Sequence, residues 1–525
     1  MPTTISSPAR LAAAAAAANE RMKPFRRNRL AFLKQYAGPH YAPRQQAGGA
    51  GPAGPEPLNL IYSLASVVLP HLVACNPRAM IRTTAPQLAD QAEVFSLAWN
   101  HLARQIDLAR SLRTVVTDAL FGAGIMKTGL GPAAAGELGD NGAPFADVVD
   151  LDDYIIDPAA RCRPAARFEG NRYRVPLEQL MESGLYDRKA AAAIEPLCRD
   201  GRDQTRGAAP GAGDSDALGR SVELIDLWLA DENVVVTLAA DVEEPAGFLR
   251  QVQWYGSDRG PYEMLGFHWI SGNPLPVPPV ALVFDLHVMI NKVARKLGRQ
   301  ADRQKELVLF DDRAADEATR VRDANDGEMV GVQSVDRYRQ VSFGGPNEDG
   351  YRHLGFLFEQ FSRIGGNVDL LGGLRPQSDT LGQDEMLYTN ATARIEDMRR
   401  EVYEFTKHVG AKLAWYLWHD PLVEMPLVRR QRDGSEAAVI FSAAQRAGRF
   451  MDYHFDIEPY SMSPDSPTRR YRRTLEWIDH VVLPTAQIAA AQGRPLDVER
   501  LAAITGKMLN IDQAGELYRP PANAK

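Results

Sequence analysis

The sequence predicts an α+β protein, and two kinds of pattern lead to this prediction. Several segments carry apolar residues at every third or fourth position, which indicates amphipathic helices. Other segments are short runs of β-branched and aromatic residues closed by glycine or proline, which is typical of strands. Both kinds occur between residues 58 and 277, so we expect that range to form one α+β unit.

Composition and charge set limits on function. The chain has 525 residues, of which 45% are hydrophobic and 24% charged, as in ordinary soluble globular proteins. The formal net charge is −7, so we do not expect nucleic acid to bind over the whole surface, although a local contact is compatible with it. The three cysteines are far apart and form no CxxC pair. They therefore argue against a disulfide framework or a cysteine zinc site, and suit a reducing cytoplasm.

Two segments near the N-terminus could be mistaken for targeting or membrane sequences. The first is MPTTISSPARLAAAAAAANERMKPFRRNR, whose alanines are too weakly hydrophobic for a signal peptide, so we expect a surface helix with a basic end. The second is LNLIYSLASVVLPHLVAC, residues 58–75, which falls short of the ~20 residues of a membrane span. It also contains Asn59, Pro70 and His71, and we predict a buried helix that stops at Pro70.

The next part of the chain is predicted to contain helices at 87–109 and 111–121, followed by strands. The strand segments are AGIMKTGLG, ADVVDLDDYIIDP, SVELIDLWLAD, NVVVTLAAD, QVQWYG and EMLGFHWISG. Residues 199–220, which interrupt this series, are polar and rich in glycine and are predicted to form a mobile loop.

NPLPVPPV then presets the start of a helix from Val280 to about Gln304. Its basic flank consists of Lys292, Arg295, Lys296, Arg299 and Arg303. Pairing with acidic residues or packing between subunits accounts for this flank as well as a phosphate contact does.

Residues 305–346 contain three strand-like runs, ELVLF, EMVGVQ and RYRQVSF, and predict a small α/β insertion. A second amphipathic helix follows and stops at Gly365-Gly366. After a loop that contains glycine and proline, the pattern predicts a very long helix from about Gln383 to Trp418, with Thr380-x-x-Gln383 as its capping box. Strands are predicted in LVEMPLVRR, AAVIFSA and YHFDIEPYS, and helices close the chain.

The sequence gives little support for catalysis. FGAGIMKTG (121–129) has Met126 where a Walker A loop needs glycine, so we interpret it as a structural turn between helix and strand. The histidines show no metal-ligand spacing, and the acidic clusters at Asp150 to Asp153 and Asp311-Asp312 are more typical of solvated turns. We predict no catalytic, cofactor-binding or metal-binding residue and no enzymatic activity.

The order of these elements resembles that of the portal proteins (head-to-tail connectors) of tailed bacteriophages, most closely those of short-tailed phages. The similarity is carried by LNLIYSLASVVLPHLVACNPRAMIRTT, TVVTDALFGAGIMKTGL, VVDLDDYIIDPAAR, PPVALVFDLHVMINKVARKLGRQADRQKELVLFD and the stretch from GGLRPQSDTLGQDEMLYTN onward. The similarity covers most of residues 20–520. It rests on the order of the helices and strands and on the general character of their residues rather than on an invariant motif. The alanine-rich N-terminus and residues 199–220 are not hallmarks of the family.

The resemblance implies a portal-type fold with a mixed α/β wing, a helical stem, a small α/β clip and a helical crown. The wing would comprise 1–277 and 383–462, the stem 278–304 and 347–364, the clip 305–346, the tunnel loop 365–382, and the crown 463–525. It also implies a homo-oligomeric ring, commonly of twelve copies, at one capsid vertex, through which double-stranded DNA passes during packaging and ejection.

The implied partners are the terminase packaging motor, the major capsid protein and tail adaptor proteins, with no membrane and no cofactor. The protein would be assembled in the host cytoplasm and become part of the virion.

Three groups of residues are the candidate functional sites under this interpretation. The tunnel loop would line the DNA channel with Leu370, Leu371, Gly372, Gly373, Leu374 and Arg375. The basic face of the stem comprises Lys292, Arg295, Arg299 and Arg303. The clip would contact terminase and adaptor through Asp311, Asp312, Arg313, Arg337 and Arg339.

Three alternatives stay open. The loop could be an ordinary connection between helices with buried leucines. The chain could be a nucleotide-binding packaging enzyme, an interpretation that rests on FGAGIMKTG. It could also be a membrane-associated structural protein, which rests on residues 58–75.

Overall fold

The computed structural model describes most of the chain. The described residues are 7–37, 58–73, 75–131, 143–192, 194, 221–240, 242, 245, 247–310, 313, 315–345, 347–366, 381–430, 436–458, 461–462, 475–491, 496 and 501. The protein is α+β, as the sequence predicts, with several separate sheets. The chain divides into two compact units, 1–461 and 462–525.

The helices of the first unit are α1 (Pro8–Ala37), α2 (Leu60–Leu72), α3 (Ala89–Gln105), α4 (Leu108–Phe121), α5 (Leu177–Glu182), α6 (Arg188–Ala192), α7 (Pro279–Asp302), α8 (Ala315–Asp323), α9 (Glu348–Gly365) and α10 (Leu381–His419). The predicted helices at 87–109, 111–121, 280–304, 351–364 and 383–418 are thus confirmed within a few residues. No helix within the described ranges is long and apolar enough to cross a lipid bilayer.

Within the described residues, the strands form five antiparallel sheets. They are β1 (Ala79–Thr83), β2 (Gly124–Leu130), β3 (Pro144–Val149), β4 (Tyr154–Ile156), β5 (Phe168–Pro176), β6 (Ser221–Leu229), β7 (Val234–Ala239), β8 (Arg250–Gln253), β9 (Tyr262–Leu265), β10 (Lys305–Phe310), β11 (Tyr338–Phe343), β12 (Glu424–Arg430), β13 (Glu436–Ser442) and β14 (Tyr453–Ile457). The sheet orders are β4-β5-β6-β7-β8, β3-β2-β9, β1-β14, β10-β11 and β12-β13.

Helix α1 lies at the surface and has a basic end, as expected, but one stripe of it belongs to the core. One stripe of the helix, Leu11, Ala15 and Ala18, packs with residues of the five-stranded sheet. The short alanine side chains allow the helix axis to approach the strands closely. The basic end is fixed as well, because Arg29 is buried and donates to Asp118 and Asp150 at 2.9 and 2.8 Å.

The second half of α10 passes through the interior of the first unit. Val402, Val409 and Leu413 are fully buried. The indole Nε1 of Trp99, on α3, donates to the carbonyl oxygen of Gly410 at 2.9 Å. A Cβ at Gly410 would come within 2.4 Å of the Phe455 ring, so glycine is required for α10 to lie this close to β14.

Two predictions about local structure are wrong. Helix α2 does not stop at Pro70 but continues to Leu72, because a proline in the last turn removes only one helical hydrogen bond and Val73 N–H still donates to the Leu69 carbonyl. EMVGVQ (328–333) is not a strand, because β10 pairs directly with β11 and leaves that segment without a neighbour. Met329 is accordingly fully exposed.

Strand β5, FEGNRYRVP, was missed by the sequence analysis. It carries buried polar residues, Glu169, Asn171 and Arg172, which break the apolar pattern that marks a strand.

The second unit is described mainly over residues 475–491. These form a helix that contains a π-turn at Ile478–Val482 and continues as α11 (Leu483–Ala491). Pro484 lacks an N–H and cannot bond the carbonyl four residues earlier, which accounts for the widened turn. The predicted C-terminal helix is confirmed over this range.

Candidate functional site

The residues predicted for the stem and clip form a helical hairpin with a small sheet at its tip. Helix α7 leads into β10, and β11 pairs with β10 and leads back into α9. The two helices pack against each other. A Cβ at Gly350, near the start of α9, would lie 2.8 Å from Leu297 near the end of α7, which shows that the helices run antiparallel.

The first half of α7 is anchored in the first unit. Its Phe284 ring packs edge-on against Phe32 of α1, with centroids 4.7 Å apart. The side chain of Asn291, which is fully buried, forms two hydrogen bonds with the backbone of Leu58. Its Oδ1 accepts from the N–H at 3.1 Å, and its Nδ2 donates to the carbonyl at 2.9 Å. This amide fixes the outgoing helix to the chain segment that precedes α2.

His287 lies one turn before Asn291 and is also buried. Its Nε2 is 3.3 Å from the side-chain oxygen of Gln35 in α1. Burial lowers the pKa of His287 to about 4, so the ring is neutral at ordinary pH. His287 is therefore a core histidine.

The second half of α7 carries the predicted basic face. With 3.6 residues per turn, the five cations fall within about a third of the helix circumference and span ~16 Å. They lie opposite the stripe formed by Val283, Ile290 and Leu297, which is buried. The cations are Lys292, Arg295, Lys296, Arg299 and Arg303.

These cations are open to solvent to different degrees. Lys292, Arg299 and Arg303 are exposed, and Arg295 is half-buried. The guanidinium of Arg299 donates to the Arg295 carbonyl at 3.4 Å, a backbone contact along the same helix. In the part of the chain that the structure describes, no carboxylate pairs with Lys292, Arg299 or Arg303. These three cations can therefore donate to phosphate oxygens without first breaking an ion pair with a described carboxylate.

The clip residues are only partly described. Arg339 in β11 is exposed and lies opposite Leu309, at the distal end of the hairpin. Arg313 follows β10 at that same end and is exposed. Arg337 lies in a short 3₁₀ turn before β11, and Asp311 and Asp312 lie outside the described residues. The three arginines thus belong to the same end of the hairpin along the chain.

The tunnel-loop residues 370–375 lie outside the described residues, and so does Thr380 of the predicted capping box. The structure does describe how the preceding helix ends. Gly366 adopts φ +91° at the C-terminus of α9, which a residue with a side chain rarely tolerates. Arg394 of α10 then donates to the carbonyls of Arg363 and Ile364 at 3.2 and 3.0 Å. This guanidinium holds the end of α9 against α10, and no sequence pattern predicts the contact.

A buried ion cluster joins α10 to the sheets, and the sequence analysis missed it too. Lys412 Nζ lies 3.0 Å from Glu263 in β9 and donates to the Tyr262 carbonyl at 2.7 Å. Arg163 bridges the same Glu263, at 2.8 Å, and Glu169 in β5, at 3.0 Å.

The pKa values follow from this arrangement. Burial alone would raise the pKa of Glu263, but the charges of Lys412 and Arg163 have the larger effect and lower this pKa to about 2. Burial lowers the pKa of Lys412 to about 8, while Glu263 acts in the opposite direction. The cluster is enclosed and its charges are paired, so we assign it to holding α10 in place.

The segment that resembles a phosphate loop is a structural turn, as predicted. Helix α4 ends at Phe121 and β2 begins at Gly124, where a Cβ would lie 2.2 Å from the Val115 carbonyl oxygen. Lys127 points to the neighbouring sheet, and its Nζ is 3.0 Å from both Asp226 and Asn171. A lysine bound in this way is not available to nucleotide phosphates.

No group of three or more histidine, cysteine or carboxylate side chains among the described residues is arranged to hold a metal ion. The acidic cluster at residues 150–153 instead binds Arg29 through Asp150. Neither Cys75 nor Cys162 forms a disulfide, and both are exposed.

Comparison with known proteins adds no assignment: no protein-family model matches this chain, and no curated protein sequence matches it.

Proposed function

We propose that this chain is a portal protein: twelve or so copies form a ring at one capsid vertex and conduct double-stranded DNA during packaging and ejection. The observation that supports this most is the antiparallel α7–α9 hairpin. It carries a small sheet at its tip and is connected through residues 367–380 to the 39-residue helix α10. The same order of stem, clip, loop and long helix underlies the resemblance drawn from the sequence.

The charge distribution supports a DNA conduit. The chain carries a net charge of −7, yet one face of α7 bears five cations in a row. Uniformly strong phosphate binding would hold the duplex in place, because each neutralised phosphate releases counterions. A short basic stripe on an acidic protein allows brief contacts and continued movement.

The exposed apolar residues of the hairpin support assembly into a ring. Leu282, Val288 and Met289 on α7 are exposed, and so are Tyr351, Phe356 and Ile364 on α9. Only Leu357 and Phe361 of α9 are buried. Apolar surface of this extent on a charged hairpin is typical of an interface. In a closed ring each hairpin would pack against its neighbours through two different faces.

The remaining parts have the roles that the family resemblance implies. The tip of the hairpin, with Arg313 and Arg339, would meet the terminase motor during packaging and the tail adaptor afterwards. The first unit apart from the hairpin would contact the capsid protein, and the second unit would form the crown. We assign the protein no reaction of its own, and its location is the virion.

Electron microscopy of the purified protein tests the proposal. We expect rings with a central hole wide enough for a DNA duplex. Met289→Glu, which places a charge on the exposed apolar face of α7, should prevent ring formation. Met329→Glu is the matched control, because that residue is fully exposed and lies outside the two helices. Monomers or dimers of the native chain at high concentration would contradict the proposal.

A deletion tests the role of the loop separately. Removing residues 367–375 should leave the rings intact and impair DNA packaging or retention. If rings fail to form, the loop is a structural joint between α9 and α10 rather than a channel element.

A further inference from the structure

An apolar cavity lies at the root of α7, where the hairpin joins the rest of the first unit. Its volume is about 200 Å³. Four stretches of chain line it: α1, the end of α4 with the turn to β2, Leu151 between β3 and β4, and residues 273–281 leading into α7. The main apolar walls are Phe25, Phe32, Phe121, Leu275, Val277 and Ala281.

The cavity has polar groups only at its mouth. Asn28 and Asn273 are the only polar side chains among the lining residues. Asn28 is exposed and Asn273 is half-buried, so the two mark the side on which the cavity meets solvent. Asn273 Oδ1 accepts from the Leu275 N–H at 3.1 Å, which holds this amide group in place beside the cavity.

The size and lining of the cavity define the chemistry of an occupant. Protein interiors contain few voids larger than a water molecule, and apolar cavities stay dry. A cavity of ~150 Å³ lined by leucine, isoleucine and phenylalanine takes up benzene, whereas drug-sized ligands occupy ~300–1,000 Å³. A volume between these limits is too small for a helix or a strand of a partner and suits one ring system.

We propose that this cavity is a binding site for a small, neutral molecule of one or two fused rings, with at most one polar group, directed towards the mouth. The rings would stack between Phe25 and Phe32 on one side and contact Val277 and Ala281 on the other. The occupant would tie α1 to the start of α7 and so stabilise the root of the hairpin. This proposal does not depend on the proposed function, and each can be tested without the other.

Indole is a suitable probe, because it is neutral, has two fused rings and carries one N–H. Ligand-observed NMR should show saturation transfer from the protein to indole. The melting temperature should rise by about 1–3 °C near saturation. Benzoate, whose charge cannot enter an apolar cavity without cost, should produce neither effect.

Filling the cavity gives the decisive variants. Ala281→Phe should abolish both indole signals, and Ala281→Leu should weaken them. Ala301→Phe, on the exposed end of the same helix, should retain them. The proposal is wrong if indole gives no signal with the native chain, or if it binds the Ala281 variants as it binds the native chain. Should Ala281→Phe fail to fold, the Ala281→Leu result decides alone.

Discussion

Lys412 in α10 and Arg299 in α7 are cations on two long helices, but their surroundings are opposite. The Lys412 side chain is 2% exposed, and its ammonium lies 3.0 Å from Glu263. Arg299 is exposed, and within the described ranges no carboxylate pairs with it. A buried charge is stable only with its partners, whereas an exposed unpaired charge contributes little to folding and stays open to a ligand. The comparison separates the part of the molecule that holds its shape from the part that we propose contacts DNA.

The largest effect should come from Lys412→Met. The substitution removes one partner of a buried carboxylate, which typically costs ~3 kcal/mol or more. We expect the free energy of unfolding, measured by urea denaturation with tryptophan fluorescence, to fall by about that amount. Lys407→Met is the control, because Lys407 is 37% exposed and 3.6 Å from Asp456, and we expect a change below ~1 kcal/mol. Equal effects of the two substitutions would mean that burial of the cation does not determine the cost of removing it.

Asn291→Ala should have the next largest effect. It leaves the N–H and the carbonyl of Leu58 without the side-chain partner that they have in the native fold. Unsatisfied groups of this kind cost ~1–3 kcal/mol, so the free energy of unfolding should fall by that amount. Lys292→Ala, one residue further on and on the exposed side of α7, should change it by less than ~0.5 kcal/mol. If Lys292→Ala lowered the free energy of unfolding as much as Asn291→Ala, the division of α7 into an anchored and an open face would be contradicted.

The pH dependence of stability should report on His287. Its pKa is lowered by burial to about 4 in the folded state, from an ordinary value of 6.5. As pH falls below 6.5, the unfolded chain binds a proton that the folded chain does not yet bind, so the free energy of unfolding decreases down to about pH 4. Urea denaturation at several pH values should show this decrease, and His287→Gln should flatten it over that window. Parallel profiles for the two proteins would mean that His287 is not the group responsible.

The sequence predicted the long helices well and the polar contacts poorly, for a physical reason. Amphipathic periodicity is local, so α7, α9 and α10 can be found from their own residues. Glu263, the partner of Lys412, by contrast comes from β9, and Arg163, which shares that carboxylate, comes from the segment before β5; only the folded chain brings them together. Asn291 and Arg394 bind backbone atoms, which leave no mark in the sequence. The basic row on α7 was found because its five members recur on one helix face, although the surroundings of each side chain were not predictable.

The smallest effect on stability, and the sharpest test of the open face, should come from Arg299→Ala combined with Arg303→Ala. Both side chains are exposed, so the free energy of unfolding should change by less than ~0.5 kcal/mol. Binding of duplex DNA should weaken, because two phosphate contacts are lost. The dependence of log K on log salt concentration should also become shallower, by ~0.9 for each lost contact and ~1.8 for both.

The control for this pair is Arg352→Ala on the adjoining helix α9. Arg352 is as exposed as the α7 cations but is already bound to Glu348, at 2.7 Å. It should therefore leave both the affinity and the salt slope nearly unchanged. If Arg352→Ala and the double variant reduce the slope equally, the hairpin attracts DNA only through its overall charge, and Arg299 and Arg303 have no special part in the contact.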